Sequence, residues 1–140
     1  MGSKERNKGA RGERLLRDFL RAAGLDEVKR GFTYLHQSDL VGLLGIHIEC
    51  KFVEKLNVRK AMDQAVAEAE KRKDGMPTVF WKASRKPWLV IMRADDWLKV
   101  YKLSRMATLQ GVKIDERQEN VCDVQNMVTD DPETETGTGG

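Results

Sequence analysis

The sequence is poor in residues that mark several classes of protein. Its two cysteines, Cys50 and Cys122, are too few and too far apart to predict a zinc site or a disulfide framework. No apolar run approaches the length that spans a bilayer, and no charged-then-apolar leader opens the chain. We therefore expect a cytoplasmic protein with no membrane partner. Of the two histidines, His36 and His47, we expect His36 to be a hydrogen-bonded structural residue.

Charge is distributed unevenly along the 140 residues, although the net charge is only +3. Residues 115–140 contain eight acidic residues and one basic residue, a net charge of −7, which leaves +10 on residues 1–114. A basic body is typical of proteins that bind a polyanion, although a solvated lysine-rich surface has the same composition. We predict one domain over residues 1–114 and a disordered acidic tail over residues 115–140.

One stretch, from residue 37 to residue 51, sets ionisable side chains among apolar and small ones. Residues 46–51, Ile-His-Ile-Glu-Cys-Lys, alternate at period two and therefore predict a β-strand. This alternation places Glu49 and Lys51 on one face of the strand, together with His47. Cys50 points to the other face, where we expect it to pack as a small hydrophobe.

A turn before this strand would bring a second carboxylate to the same place. Gly42 and Gly45 predict a hairpin or tight bend, which would carry Asp39 back towards Glu49. Two carboxylates with Lys51 beside them are what metal-dependent hydrolysis of a phosphodiester requires. The carboxylates hold Mg²⁺, which usually keeps several waters, and the lysine orients or helps to deprotonate one of them.

A third carboxylate is predicted on the first helix, residues 9–23. Its apolar stripe includes Leu16 and Leu20, and Glu13 lies at the edge of that stripe, where it would look into the protein. An exposed ion pair between Glu13 and Arg17, one helical turn apart, is the alternative. We favour the site because of the Asp39 and Glu49 pattern downstream.

These residues together resemble a known nuclease family. Ser-Asp at 38–39, followed by Glu-Cys-Lys at 49–51, resembles the PD-(D/E)xK nuclease core, with serine in place of the proline. Residues 7–14, Asn-Lys-Gly-Ala-Arg-Gly-Glu-Arg, look like the opening helix of archaeal-type Holliday junction resolvases, which carries a glutamate at the position of Glu13. The stretch from about residue 8 to residue 101 looks like the small resolvase-like nucleases of bacteriophages and prophages.

The resemblance implies a role for each of these residues. Asp39, Glu49 and the backbone carbonyl of Cys50 would ligate Mg²⁺, with Mn²⁺ as a substitute. Glu13 would bind a second metal or a metal-bound water. Lys51 would position the attacking water and stabilise the charge that develops at phosphorus. The product would carry a 5′-phosphate.

Two more residues are candidates for this site. Many nucleases of the resembled family have a glutamine that approaches the site from the helix after the Glu-x-Lys strand. Gln64 matches by order, although it lies off the apolar stripe of its helix and a solvated glutamine is equally consistent. His47 shares the face of Glu49 and Lys51, from which it would contact a phosphate or a water.

A basic loop, residues 82–87, lies between two apolar segments and is flanked by Trp81 and Trp88. Its cations would grip a phosphate backbone, with an indole available for stacking, although we expect the tryptophans mostly in the core. Solvated lysines beside core tryptophans are the alternative. The predicted DNA contacts are Lys8, Arg11, His47, Lys82, Arg85 and Lys86.

The order of elements predicts an α/β sandwich, a mixed central sheet of about five strands flanked by helices, as in restriction endonucleases. Residues 1–8 are expected to be disordered. Strands are predicted over residues 28–35, 78–81 and 88–92, and a helix begins after Asn57 and ends at Asp74. A short helix over residues 95–103 would close the body, with Trp97, Leu98 and Tyr101 packing inward.

The resemblance therefore predicts a Mg²⁺-dependent endonuclease that cuts branched DNA, most simply a Holliday junction resolvase acting in the cytoplasm of a host cell. A nicking, flap or restriction-like nuclease is the alternative, and a non-catalytic DNA-binding module is a third. Resolution of a four-way junction requires two symmetric cuts, so the active form is predicted to be a homodimer. Its interface would involve Leu43 and Leu44 or the final helix.

Overall fold

The computed structural model describes residues 2–31 and 39–111. The strand predicted over residues 28–35 falls partly outside this range. His36 and the serine at position 38 lie outside the described residues, as does the acidic tail over residues 115–140. The elements, in chain order, are helix α1 (Gly2–Ala22), strands β1 (Lys29–Arg30), β2 (Leu40–Val41) and β3 (Ile46–Phe52), helix α2 (Val58–Arg72), strands β4 (Met76–Lys82) and β5 (Leu89–Met92), and helix α3 (Ala94–Leu109).

The described strands form one mixed five-stranded sheet in the order β1-β2-β3-β4-β5. Strand β2 lies between β1 and β3 and pairs with both in antiparallel orientation. Strand β4 pairs antiparallel with β5. Only β3 and β4 are parallel within the described sheet, and the crossover between them is α2. The predicted α/β sandwich with a mixed sheet is confirmed.

Helix α1 covers one face of this sheet. Its sequence contains no β-branched residue, and Leu16 and Leu20 are buried in a cluster with Val28, Leu40 and Ile48. The helix begins at Gly2, so the expectation of disorder over residues 2–8 is wrong. Four of these residues, Lys4, Glu5, Arg6 and Lys8, are good helix formers, and the helix begins about two turns before the predicted start.

Helix α2 covers the other face. Asn57 accepts a hydrogen bond from the backbone N–H of Lys60 at 3.1 Å, which caps the helix as predicted. Ala61 and Ala65 are buried against Val79 of β4, because small side chains allow the helix to approach the sheet closely.

Helix α3 differs from the sequence prediction in length and in packing. It extends to Leu109, and the three side chains predicted to pack inward are exposed, Trp97 at 52%, Leu98 at 43% and Tyr101 at 51%. Trp97 and Tyr101 instead stack on each other, with ring centroids 5.4 Å apart. An apolar sequence predicts burial without specifying which surface provides it.

Among the described residues, no helix combines the length and apolar character needed to cross a membrane.

The contact of α1 with β3 leads to a test of the fold. A Cβ atom at Gly12 would lie 2.6 Å from the Cβ of Phe52, whereas one at Gly9 would meet nothing within 4 Å. Gly12→Ala should therefore lower the free energy of unfolding by about 1–3 kcal/mol through overpacking. Gly9→Ala, the matched control on the same helix, should leave stability unchanged or raise it by up to about 1 kcal/mol. Urea unfolding followed by circular dichroism measures both, and equal effects would contradict the close packing.

Candidate active site and cation cluster

The hairpin of β2 and β3 brings two predicted carboxylates together. Leu40 pairs with Ile48 across the antiparallel strands, so Asp39 lies opposite Glu49. Asp39 Oδ2 accepts a hydrogen bond from the backbone N–H of Cys50 at 3.0 Å, which holds the carboxylate against β3. The predicted approach of Asp39 to Glu49 is confirmed.

Strand β3 places Glu49 and Lys51 on the face that α2 covers. Lys51 Nζ lies 3.1 Å from Glu49 Oε1 and donates a hydrogen bond to Gln64 Oε1 at 3.0 Å. Gln64 therefore reaches the site from α2, as predicted, and is not merely solvated. The side chain of Glu49 is only 8% exposed, so its carboxylate and the Lys51 ammonium interact at reduced screening.

Glu13 approaches the same region from α1. Its Oε2 accepts a hydrogen bond from Arg30 Nε at 2.7 Å, at the end of β1. The alternative pairing with Arg17 is not formed, because Arg17 Nε instead contacts Asp18 Oδ1 at 2.9 Å. Glu13 is thus half-buried and turned towards the sheet.

The negative charge of Asp39 influences the other two carboxylates. Burial raises the pKa of Glu49, and the negative charge of Asp39 raises it further against the opposing effect of Lys51. Burial likewise raises the pKa of Glu13, where the Arg30 hydrogen bond opposes the shift and Asp39 adds to it. The pKa of the Cys50 thiol is raised by burial and then by the three carboxylates, so this side chain stays protonated and packs as predicted.

These residues fit a divalent cation in one specific way. Among residues 2–31 and 39–111, no three His, Cys, Asp or Glu side chains enclose a metal site by themselves. Mg²⁺, however, is commonly bound through one or two carboxylates together with water and substrate phosphate. A partly buried pair such as Asp39 and Glu49, which repel each other, matches that mode of binding.

His47 does not have the predicted role. It is 1% exposed, and its Nδ1 lies 2.8 Å from Asp74 Oδ1, beyond the end of α2. This burial corrects the prediction that His47 contacts DNA, because the ring faces the body of the protein. The contact ties β3 to the segment between α2 and β4 and so supports the strand that carries Glu49.

Three of the predicted DNA-binding cations converge on one aromatic ring. Lys8 Nζ, Arg11 Cζ and Lys82 Nζ lie 5.9, 5.8 and 6.0 Å from the centre of the Phe52 ring. We call this group of four residues the cation cluster. Phe52 follows Lys51 on β3 and lies against Gly12 of α1, so the cluster occupies the α1 face at the end of the strand that carries the site.

The remaining predicted cations, Arg85 and Lys86, lie in the exposed loop between β4 and β5. The backbone N–H of Ser84 donates to Glu54 Oε1 at 3.0 Å, which pins this loop to the segment after β3. Arg85 adopts a positive φ of 61°, consistent with a tight turn. Trp81 and Trp88, on either side of the loop, are both half-buried.

The structure adds residues that sequence reasoning missed. Arg30 contacts Glu13 and Asp74 contacts His47, across 17 and 27 residues of chain, and no short-range pattern signals either pair. Phe52 could have been found, since period two continued past Lys51 places it on the face opposite Lys51. No sequence pattern indicated a role for Glu54, because its hydrogen-bond partner Ser84 comes near it only once the sheet has formed.

A scan against protein-family models finds no match for the chain, and a search of curated proteins finds no significant match.

Proposed function

We propose that this protein is a Mg²⁺-dependent endonuclease that cleaves branched DNA, with the four-way junction as its substrate. The observation that carries the proposal is the convergence of Asp39, Glu49 and Lys51, from two paired strands, with Gln64 from α2. These side chains come from three consecutive elements, β2, β3 and α2, and meet beside β3. An acidic pair with an adjacent ammonium suits phosphodiester hydrolysis better than any purely structural role.

Asp39 and Glu49 would hold the cation, and Glu13 would bind a water of its shell or a second ion. The cation supplies charge neutralisation at the phosphate and lowers the pKa of a bound water. Lys51 is positioned by Glu49 and Gln64, and its ammonium carries three donors. Two donors serve these partners, and the third would orient the attacking water or stabilise charge developing at phosphorus.

The cation cluster supports DNA as the substrate. Lys8, Arg11 and Lys82 concentrate positive charge around Phe52, which is the residue after Lys51 on β3. Such a concentration of cations attracts the phosphate backbone of DNA. When the DNA binds, the counterions condensed on its phosphates are released, which favours binding. Arg85 and Lys86 would extend the same footprint along the loop.

We propose further that the active form is a homodimer joined through α3. This helix exposes Trp97, Leu98, Val100, Tyr101, Leu103, Met106 and Leu109. Apolar side chains that surround a helix on all sides need cover from another surface. A second copy provides it with two-fold symmetry, and the same symmetry supplies the paired sites that two cuts in a junction need.

The first prediction concerns catalysis. Asp39→Asn and Glu49→Gln should each lower junction cleavage by more than about 100-fold, beyond the usual cost of losing an outer-shell partner of a metal. Asparagine still accepts the Cys50 N–H bond, so the fold should persist.

Mg²⁺ at 100 times its Kd should stabilise the native protein by about 2.7 kcal/mol, and both variants should lose this gain. Gel assays of a synthetic four-way junction, a linear duplex and a flap, with Mg²⁺ or EDTA, measure cleavage.

Asp63→Asn, an exposed carboxylate on α2, is the control for charge and should behave as the unaltered protein. An Asp39→Asn variant that cleaves at the unaltered rate would refute the site. Preferred cleavage of the flap or the linear duplex would identify a nuclease of different specificity, and DNA binding without cleavage of any substrate would identify a binding module.

The second prediction separates DNA binding from chemistry. The double variant Lys8→Gln/Lys82→Gln should weaken junction binding. It should also make the plot of log affinity against log salt less steep, by about 2 in the magnitude of its slope. Lys51→Ala should instead abolish cleavage and leave binding nearly unchanged, since one lysine contributes little to a contact of many charges. Fluorescence anisotropy in EDTA at several salt concentrations measures both. Lys71→Gln/Lys73→Gln, at two exposed lysines at the end of α2, is the control of equal charge, and an equal loss of slope in that control would place the footprint elsewhere.

The third prediction concerns assembly. Leu103→Glu/Met106→Glu should shift the protein from dimer to monomer and reduce paired cuts in the junction, because it buries charge at the proposed interface. Lys71→Glu on α2 should leave the dimer intact. Sedimentation velocity with the full chain measures the mass. An unaltered protein that is monomeric both alone and with junction DNA would refute the dimer, and would also count against the four-way junction as substrate.

A further inference from the structure

A cleft of about 390 Å³ opens around the loop that joins β4 to β5. Its apolar walls are formed by Trp81, Pro87 and Leu89, and its polar rim by Glu54, Ser84 and Lys86. The volume lies near the lower end of the range for small-ligand pockets, about 300–1,000 Å³. A flat aromatic wall with a few polar groups at the rim is suited to a small planar ligand.

The aromatic wall is fixed in orientation. Trp81 Nε1 donates a hydrogen bond to the backbone carbonyl of Val53 at 2.8 Å, and the indole packs beside the core under α2. A ring held in this way loses little conformational entropy when a ligand stacks on it. Base–aromatic stacking is also tolerant of sequence, since every base has a π face.

Strand register places this wall next to the catalytic lysine. Lys51 pairs with Trp81 across β3 and β4, and Trp81 pairs with Leu89 across β4 and β5. The three residues therefore form a row on one face of the sheet. From the usual spacing between strands, the backbone of Trp81 lies about 5 Å and that of Leu89 about 10 Å from the backbone of Lys51. A nucleotide adjacent to a phosphate at Lys51 is within reach of the cleft.

The rim has an acceptor of defined position. Glu54 Oε1 accepts the Ser84 N–H, and an ionised carboxylate has capacity for further donors on its second oxygen. Hydrogen bonds from Ser84 hold the pKa of Glu54 below its ordinary value, and Lys8 and Lys82 lower it further. Lys82 of the cation cluster lies between Trp81 and Ala83, which both line the cleft, so a strand whose phosphates contact the cluster at the end of β4 has a base site close by.

We propose that this cleft binds one unstacked nucleobase of the DNA strand held at Lys51, next to the phosphate that is cut. The proposal rests on the proposed function for its DNA substrate and adds to it that the substrate presents an unpaired nucleotide beside the cut. The acceptor at Glu54 favours a base with an exocyclic amino group, such as cytosine, over thymine.

An abasic scan combined with two protein variants tests the proposal. Four-way junctions carrying a single abasic site, at each position within three nucleotides of the branch point, are bound in EDTA and compared with the intact junction. One position should weaken binding roughly tenfold for the unaltered protein, as expected for loss of one stacked base. Leu89→Phe, which fills the cleft, should abolish that penalty and weaken binding of the intact junction.

Val90→Phe is the matched control, because Val90 is the next residue of the same strand, points to the opposite face and is exposed at 57%, compared with 48% for Leu89. The abasic penalty should survive in this variant. An identical penalty in both variants, or the absence of a sensitive position, would overturn the proposal.

A second measurement tests the rim. At the sensitive position, cytosine should bind several-fold more tightly than thymine, and Glu54→Gln should remove this preference because the amide presents a donor as well as an acceptor. Glu70→Gln, an exposed carboxylate on α2, should keep the preference. A preference that is unchanged in Glu54→Gln would refute the assigned acceptor.

The outcomes separate this proposal from the proposed function. If the protein cleaves DNA but no abasic position gives a binding penalty that Leu89→Phe abolishes, the base site is refuted and the nuclease function stands. A sensitive position in a protein that cleaves no DNA would remove the nuclease and leave the base site. Absence of any DNA binding would overturn both.

Discussion

The antiparallel pairing of β2 with β3 is the constraint on which the candidate site depends. Leu40 and Ile48 are paired and both are buried, so the core itself enforces the register. A slip by one residue would turn every side chain of β2 to the opposite face and carry Asp39 away from Glu49. The hydrogen bond from the Cys50 amide to Asp39 adds a second restraint, so the carboxylate is held by backbone as well as by packing.

This arrangement is electrostatically unfavourable for the fold alone. Burial and the charge of Asp39 raise the pKa of Glu49 and of Glu13, and Lys51 and Arg30 offset part of that cost. Replacing such groups by apolar residues is often neutral or stabilising in other proteins. The proposed site for cations and phosphates would account for perturbed carboxylates that converge beside one strand.

Local patterns in the sequence were sufficient for strand β3, for the start of α2 and for the centre of the candidate site. Alternation along β3 placed Glu49 and Lys51 on one face, and Asn57 marked the start of α2, because both signals depend on neighbours within a few residues. Long-range partners had no such signal: the pairs of Glu13 with Arg30 and of His47 with Asp74 exist only once the sheet has formed. The inward packing predicted for α3 failed for the same reason, since an apolar helix does not encode which surface covers it.

The two faces of β3 suggest how one strand could both hold a substrate and act on it. Odd-numbered residues direct Glu49 and Lys51 towards α2, where Gln64 orients the lysine. Even-numbered residues direct Cys50 and Phe52 towards α1, where the cations gather. The proposed phosphate contacts and the proposed catalytic residues thus lie on opposite faces of one strand and meet at its end. A DNA strand that crosses this end would be gripped on one side and cut on the other, so changes in affinity and in rate should be separable by residue.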